Sequence, residues 1–486
     1  MINKLKELFF TAESTRKIVF KNFLWLAFSQ VGSRIIRASI TLYAARTLGA
    51  SQYGVFSYAI GLAGFFIFFK NIGIDSIMTR DIAKNPHLRE KIFSTGFWIE
   101  IVLLVFTVLL LLFIAPFFSK INEAVVLLPV IAVMLVADDL RDFFFAFFRG
   151  VEKMEWEAII VTLVNVLVTV FGFVALAYVN TPLSLASAYA SASVLATIIA
   201  GSVVFWRYGL DVIRKFSKDH IIPVLSAAWP IAMAGLPSVF LFSVDLVMLG
   251  WWWPASEVGI YAATQKIIGI LMVVPQLIAT STFPVLARLI KEQSKEKIKA
   301  LMESILKMIL AFSVPIFIGG MLLGGELLSR IFGVEYASGN VAFTILLGSI
   351  FAVFPLMIFS NFVFANNAQR QTVSYPFISS GINIILNFLL VPNYGMVGAS
   401  FATLISFGIY AFLMYRFSKK IEYFSIFKKP AKICISTALM AVLIVFLNIL
   451  GMDVILNVGI SALVYIGLLI FLKEDIVLEA VGLFKK

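Results

Sequence analysis

The sequence predicts an all-α integral membrane protein with about fourteen transmembrane helices, two parallel six-helix bundles followed by two C-terminal helices. Three observations predict it: the composition, the alternation of basic residues between the two sides of the spans, and a repeat displaced by six spans. Hydrophobic residues make up 61% of the 486 and charged residues only 14%, whereas a soluble domain carries about 25% charged. Too few polar side chains remain to clothe a water-facing surface. The apolar residues also come in runs such as 101–118 and 158–179, close to the roughly 20 residues that cross a bilayer as helix.

Taken in order, residues 1–21 mix charge throughout and lack the apolar core of a signal peptide, so they are expected to form a cytoplasmic, interfacial amphipathic segment. Six spans follow at about 22–48, 54–79, 92–115, 124–148, 156–179 and 183–206, making an N-terminal bundle over 22–206. Six more, at 221–249, 257–287, 300–323, 340–365, 371–391 and 395–415, make a C-terminal bundle over 221–415. Spans 13 and 14, at 433–449 and 454–472, close the helical part, and 473–486 is expected as a cytoplasmic tail. No hydrophilic domain interrupts the series, so neither an ectodomain nor a cytosolic catalytic domain has room.

The basic residues fix the register. Segments on the amino-terminal side of the membrane hold 30 Lys and Arg, and the opposite loops hold only Lys120 and Arg330. That alternation requires an even number of spans with both termini cytoplasmic, in a cell membrane. It also accounts for the formal charge of +12 without nucleic acid as a partner. Cys434 is alone, which excludes an internal disulfide, and His87 and His220 lie in polar loops with no metal-ligand spacing. No phosphate-binding loop, H-E-x-x-H pattern or nucleophile elbow occurs, so neither ATP hydrolysis nor enzymatic catalysis is expected, and no cofactor is called for.

The repeat supports the two-bundle reading. Ala50-Ser51-Gln52-Tyr53-Gly54-Val55-Phe56, between spans 1 and 2, aligns without a gap with Ala255-Ser256-Glu257-Val258-Gly259-Ile260-Tyr261, between spans 7 and 8. Ala186 to Ala190 at the start of span 6 echoes Gly398 to Ala402 in span 12, again six spans on. Parallel repeats put a substrate path at the interface of the halves. Span 7 carries Pro223, Pro230 and Pro237, and span 8 carries Pro275 and Pro284, so both are expected to bend.

Two constellations lie inside the spans. The first is basic: Arg34 and Arg37 on one face of span 1, Lys70 in span 2 and Lys266 in span 8. Facing lipid, four such charges would cost on the order of 10–14 kcal/mol, so they are expected to line a wet central cavity that receives an anion. Arginine suits phosphate because its planar fork donates two parallel hydrogen bonds. Lys70 has an alternative, an ion pair with Asp75 or with Glu100 of span 3, whereas span 1 offers its arginines no acid. Arg141, amid Asp138, Asp139 and Asp142, reads as a local structural cluster. The second constellation is oxygen-rich: Asp245, the one acid of span 7, Asn383 and Asn387 four residues apart in span 11, and Thr403 in span 12. These donors suit a hard cation such as sodium; asparagines so spaced also bind helix to helix.

With these residues in view, the chain resembles the oligosaccharide-repeat-unit flippases of the multidrug/oligosaccharidyl-lipid/polysaccharide exporter superfamily. The resemblance covers essentially the whole chain and is strongest from Ser33-Arg34 through Ala45-Arg46-Thr47-Leu48-Gly49-Ala50 to Tyr53-Gly54-Val55-Phe56-Ser57-Tyr58, with Phe148-Arg149-Gly150 after span 4. The same stretch is similar to lipid II flippases, in which a span-1 arginine and a span-2 basic residue line a cationic cavity; that match gives Arg34 and Lys70 the role here. The resemblance implies alternating-access transport of a polyprenyl-linked oligosaccharide from the inner to the outer leaflet, by a monomer, with Na+ or H+ coupling or the membrane potential as drive. A cation-coupled drug exporter of the same fold is the alternative, though it would want an acidic pocket. A polysaccharide polymerase would need a large outer loop, and the longest, 324–339, has about 16 residues.

Overall fold

The computed structural model describes residues 15–70, 72–209, 211–425 and 430–474, and for 15–31, 33–35, 67–70, 211–212, 238 and 242 the backbone alone. Most of the expected N-terminal segment, 1–14, and the tail beyond 474 therefore lie outside the described residues. All regular structure among the described residues is helical. The helices are α1 (Thr15–Lys70), α2 (Ile74–Lys84), α3 (Arg89–Leu109), α4 (Asn122–Gly150), α5 (Met154–Tyr178) and α6 (Pro182–Tyr208). After the single turn α7 (Asp211–Arg214) come α8 (Ile221–Trp252), α9 (Ala255–Leu271), α10 (Val273–Lys291), α11 (Lys295–Phe332), α12 (Asn340–Gly348) and α13 (Ile350–Ala365). The chain continues with α14 (Gln369–Thr372), α15 (Ser374–Ile421), α16 (Ala431–Ile449) and α17 (Val454–Phe471).

Apart from short breaks, the described residues of the expected spans are helical, and ten helical segments among the described residues are long and apolar enough to cross a membrane. Outward-facing side chains such as Phe117, Trp206, Val442 and Leu463 are large and apolar, while Ser94, Thr107, Ser313 and Ser406 are buried. This inversion is what a hydrocarbon solvent selects, because backbone and hydroxyl groups must be satisfied inside the protein. Most buried hydroxyls do so by bonding back one turn along their own helix, as Thr107 does to Leu103 O (2.8 Å) and Ser313 to Ile309 O (2.9 Å). The molecule is a multi-pass membrane protein.

Two long helices each fold into two legs at a glycine. In α1 the break is Gly49 (φ 72°), immediately before the first copy of the repeat; in α15 it is Gly395 (φ 54°), just before the second echo. Both need the left-handed backbone region that glycine enters without a Cβ clash. At the second corner the Trp253 indole donates to Val391 O (2.7 Å), and its ring would lie 3.0 Å from a Cβ at position 395. Spans 2, 8 and 10 break where the sequence suggested continuity or only a bend, the last at Ser349 between α12 and α13. Span 2 is interrupted between Lys70 and Ile74, with Gly73 at φ 93°. Span 8 breaks at Met272, between α9 and α10. Pro275 explains the second break: it offers no N–H to the carbonyl four residues back, and its ring crowds that turn. The prolines Pro230 and Pro237, in contrast, sit within an uninterrupted α8.

The chain groups into two compact units, 1–239 and 240–486, dividing within α8. In the first, Phe93, Phe143, Phe144 and Phe147 form an aromatic core between α3 and α4. The segment after α6 is stapled to α3: Ser94 Oγ and Trp98 Nε1 both donate to Ile213 O (2.8 and 3.1 Å), and Lys215 pairs with Glu90 (2.5 Å). In the second unit α16 and α17 pack on α11, fixed by Arg330–Asp453 (3.0 Å) at one end and a buried Lys307–Glu474 ion pair at the other. Between them Tyr465 donates to Ala311 O (2.8 Å).

Candidate functional site

The oxygen constellation converges in the second unit. Asp245 on α8 is 1% exposed. Its Oδ1 accepts from Asn387 Nδ2 (2.7 Å), and its Oδ2 accepts from Thr403 Oγ1 (2.5 Å) and from the Tyr261 hydroxyl (2.8 Å). Asn387 Nδ2 also lies 3.0 Å from Asn383 O and 3.1 Å from Asn383 Oδ1. Three helices therefore meet at one carboxylate: α8, α9 through Tyr261, and both legs of α15. The Gly395 corner makes this possible, since it turns Thr403 back against Asn383 and Asn387 of the same helix.

Two polar atoms here, Asn383 Nδ2 and Asn387 Oδ1, are buried with no hydrogen-bond partner among the described residues. An unsatisfied buried amide is costly, and these two amides can turn to present oxygens inward without moving the backbone. One carboxylate, two amide oxygens and a hydroxyl form a hard-donor set. A single negative charge balances a monovalent cation or a proton, whereas a divalent ion would leave a buried positive charge uncompensated. Among the described residues no group of three or more His, Cys, Asp or Glu is placed to hold a metal ion.

Tyr261 was not among the residues singled out from the sequence. A signal was present: it ends the second copy of the repeat, where the first copy has Phe56. Extending that gapless register places Ile40 where α8 has Asp245. Ile40 is fully buried, and its Cγ1 would lie 2.6 Å from a Cβ at Gly172 on α5. Phe56 packs edge-on against Tyr189 (5.6 Å between centroids). The first unit thus carries hydrocarbon where the second carries a carboxylate and a phenol.

The basic constellation is described in part. The side chains of Arg34 and Lys70 lie outside the described residues. Arg37 is exposed on α1, with its guanidinium carbon 5.4 Å from the centroid of the Tyr189 ring and no carboxylate within 4.0 Å among the described residues. Lys266 is exposed on α9, one turn beyond the Tyr261 layer. Asp75 begins α2 and is half-buried, and Glu100 on α3 is buried. The break at 72–73 puts Lys70 and Asp75 on separate helices rather than one continuous face. Arg141 pairs with Asp138 (2.6 Å) and Asp142 (3.6 Å), the local cluster expected, but Asp139 is turned inward and buried.

Comparisons with known proteins agree with this architecture. The profile of a family described as polysaccharide biosynthesis protein matches residues 19–290, and that of MatE matches 230–389. A Haloferax volcanii protein named "Probable flippase AglR" is 24% identical over 80% of this chain and 81% of its own length. A second from that organism, "Probable low-salt glycan biosynthesis flippase Agl15", is also 24% identical, over 44% of this chain and 46% of its own length, so this chain spans under half of that relative. Among solved structures, the lipid II flippase MurJ in an inward closed conformation has a TM-score of 0.75 at 19% identity, covering 93% of this chain and 100% of that one; at such identity the likeness speaks for the fold. These are transport proteins, not enzymes. With its first profile covering more than half of the sequence, the chain belongs to the polysaccharide biosynthesis protein family, in the superfamily of oligosaccharide flippases and multidrug exporters.

Proposed function

We propose that this protein flips a lipid-linked oligosaccharide, carried on a polyprenyl phosphate or pyrophosphate, from the inner to the outer leaflet by alternating access. In this reading it crosses the membrane fourteen times as a monomer, with both termini cytoplasmic and its spans grouped as two six-helix bundles and two further helices. Arg34, Arg37, Lys70 and Lys266 line the central cavity and receive the phosphate, while Asp75 and Glu100 tune Lys70 by pairing. The lipid tail stays in the bilayer. A sodium ion, or a proton in its place, binds at Asp245, Asn383, Asn387 and Thr403 and couples its own gradient to the cycle. The membrane potential adds about 2.3 kcal/mol per charge per 100 mV.

The observation that carries this reading is Arg37: a guanidinium kept on an apolar helix, set over an aromatic ring, with no carboxylate within 4.0 Å among the described residues. In a chain of this family, an anionic headgroup is the partner that such a cation fits. The test is complementation of a strain lacking its own oligosaccharide flippase. Wild type is expected to restore surface glycan, and Arg34→Ala and Arg37→Ala, expressed to the same level, to lose it. Full restoration by both variants would sink the assignment.

The MatE match over 230–389 favours a second reading, a cation-coupled drug exporter. Dye efflux from cells expressing the protein separates the two, since a flippase of anionic headgroups confers none.

A further inference from the structure

Much of the positive charge of this protein lies in two short segments of the second unit. Segments 288–299 and 416–432 together hold eleven basic and three acidic residues, two-thirds of the formal net charge of +12. They are far apart in sequence, and the fold brings one lysine of each to the same aromatic ring. Lys299 Nζ, on α11, lies 5.5 Å from the Tyr423 centroid, and Lys419 Nζ, on the last turn of α15, lies 4.5 Å from it. Lys419 is also 5.6 Å from the Tyr415 ring, and Arg416 sits 5.9 Å over Phe412.

The seat is rigid. Phe424, next to Tyr423, is fully buried among Phe359, Phe362 and Tyr415. Ser425 N donates to Glu303 Oε1 (3.2 Å). That bond also directs the acid one turn from Lys299 inward, where it is buried. Of the three acids in the two segments, Glu292 faces Arg288 at 3.9 Å, and Glu296 and Glu422 approach none of these cations. Among the described residues no carboxylate oxygen lies within 4.0 Å of Lys299, Arg416, Lys419 or Lys420.

Two ammonium groups held on one ring lie within about 10 Å of each other and repel. Among the described residues no carboxylate within 4.0 Å offsets that repulsion. The arrangement does fit an anion of small radius with several acceptor oxygens, approached by two flexible ammonium groups and a phenol. Tyr423 and Phe412 are both more than half exposed, so the corner continues onto the apolar outer surface of the helices. Aromatic residues at such a level mark the headgroup zone of a bilayer, and basic clusters beside membrane helices bind anionic headgroups.

We propose that Lys299 and Lys419, seated on Tyr423, form a binding site for the phosphate of an anionic phospholipid, whose acyl chains lie along the outer surface near Phe412. The site shares no residue with those assigned to transport and does not depend on what the protein carries. The shared chemistry with a soluble phosphate is the phosphoryl group, and a lipid is favoured because the seat opens onto apolar surface.

The test is native mass spectrometry of the full-length protein in detergent doped with equal phosphatidylglycerol and phosphatidylcholine. Wild type is expected to retain phosphatidylglycerol preferentially. Lys299→Ala/Lys419→Ala is expected to lose on the order of 25-fold in that preference, at roughly fivefold per lysine near a membrane surface. Tyr423→Leu, which removes the seat without changing charge, is expected to lose part of it. Lys295→Ala/Lys297→Ala removes the same charge from exposed neighbours and is expected to leave retention unchanged. Equal loss in that second pair would mean diffuse attraction and overturn the site. Displacement of the lipid by inorganic phosphate at tens of millimolar would overturn the lipid assignment in favour of a soluble anion.

Discussion

Replacing Asp245 with Asn tests the cation site with little disturbance to the fold, and the hydrogen bonds say why. The new amide oxygen can still accept from the Tyr261 hydroxyl and Thr403 Oγ1, the two donors now on Oδ2. The new NH2 would then face Asn387 Nδ2, donor against donor. Turning the Asn387 amide removes that clash, at the expense of the Nδ2 contacts with Asn383 O and Asn383 Oδ1. The cost to stability is therefore about one to two neutral hydrogen bonds, roughly 1–3 kcal/mol. The cost to cation binding is far larger. At about 3 Å and an effective dielectric near 20, one carboxylate contributes about 5 kcal/mol to a monovalent cation, more than three decades of affinity. If sodium binds the folded wild type, raising it to about 100 times its dissociation constant stabilises the fold by about 2.7 kcal/mol. Thermal unfolding of purified protein in sodium against potassium reads that difference directly, and proteoliposome transport under a sodium gradient reads the coupling. Wild type is expected to unfold several degrees higher in sodium, and Asp245→Asn at one temperature in both salts. A sodium shift of equal size in the variant would refute the site, as would an equal response of wild type to both ions.

Further outcomes follow from other contacts. Lys307→Met should destabilise the protein by about 3–5 kcal/mol, since it leaves Glu474 buried and unpaired; adding Glu474→Leu should recover most of that loss, both read by thermal unfolding. Gly398→Ala would bring a Cβ within 2.6 Å of the Leu390 carbonyl oxygen, so the α15 corner must shift at about 1–3 kcal/mol, with weakened sodium stabilisation as its signature. The Lys215 hydrogen bond holds Glu90 below the ordinary carboxylate value of 4.5. Such a depressed group contributes stability above its unfolded pKa and loses it as pH falls through the folded one. The protection factors of amides 213–217, exchange rates corrected for the intrinsic pH dependence, should therefore fall as pH drops below about 4.5 and stay constant in Glu90→Gln, while unchanged protection down to pH 3 would contradict the staple.

The sequence made the helices legible because hydrocarbon imposes one strong rule, long apolar runs with basic loops on one side. Asp245, Asn383, Asn387 and Thr403 could be found for the same reason: polar oxygens inside such runs are rare enough to notice one by one. Tyr261 was harder, since a tyrosine in a membrane helix is ordinary, and its meaning appears only when the repeat is read as a difference from Phe56. The break at 72–73 was invisible because no proline marks it, and Gly73 resembles the many glycines that serve close packing. The Met272 break had a proline signal, but sequence alone did not separate Pro275, which interrupts its helix, from Pro230 and Pro237, which do not. The Lys299–Tyr423–Lys419 corner was illegible for a simpler reason. It joins two loops more than a hundred residues apart, and no periodicity reports on that distance.

The inequality of the two repeats reaches beyond binding. Ile40 and Phe56 fill with hydrocarbon the place that Asp245 and Tyr261 occupy in the other half. A protein assembled from two copies of the first half would keep both glycine corners and the aromatic packing, yet would hold no ionisable group at that place in either copy. Such a chimera could rock, but no ion gradient could bias the direction of its rocking through this site. In the proposed mechanism, Asp245 and Tyr261 set against Ile40 and Phe56 are the asymmetry through which an ion acts on one half alone.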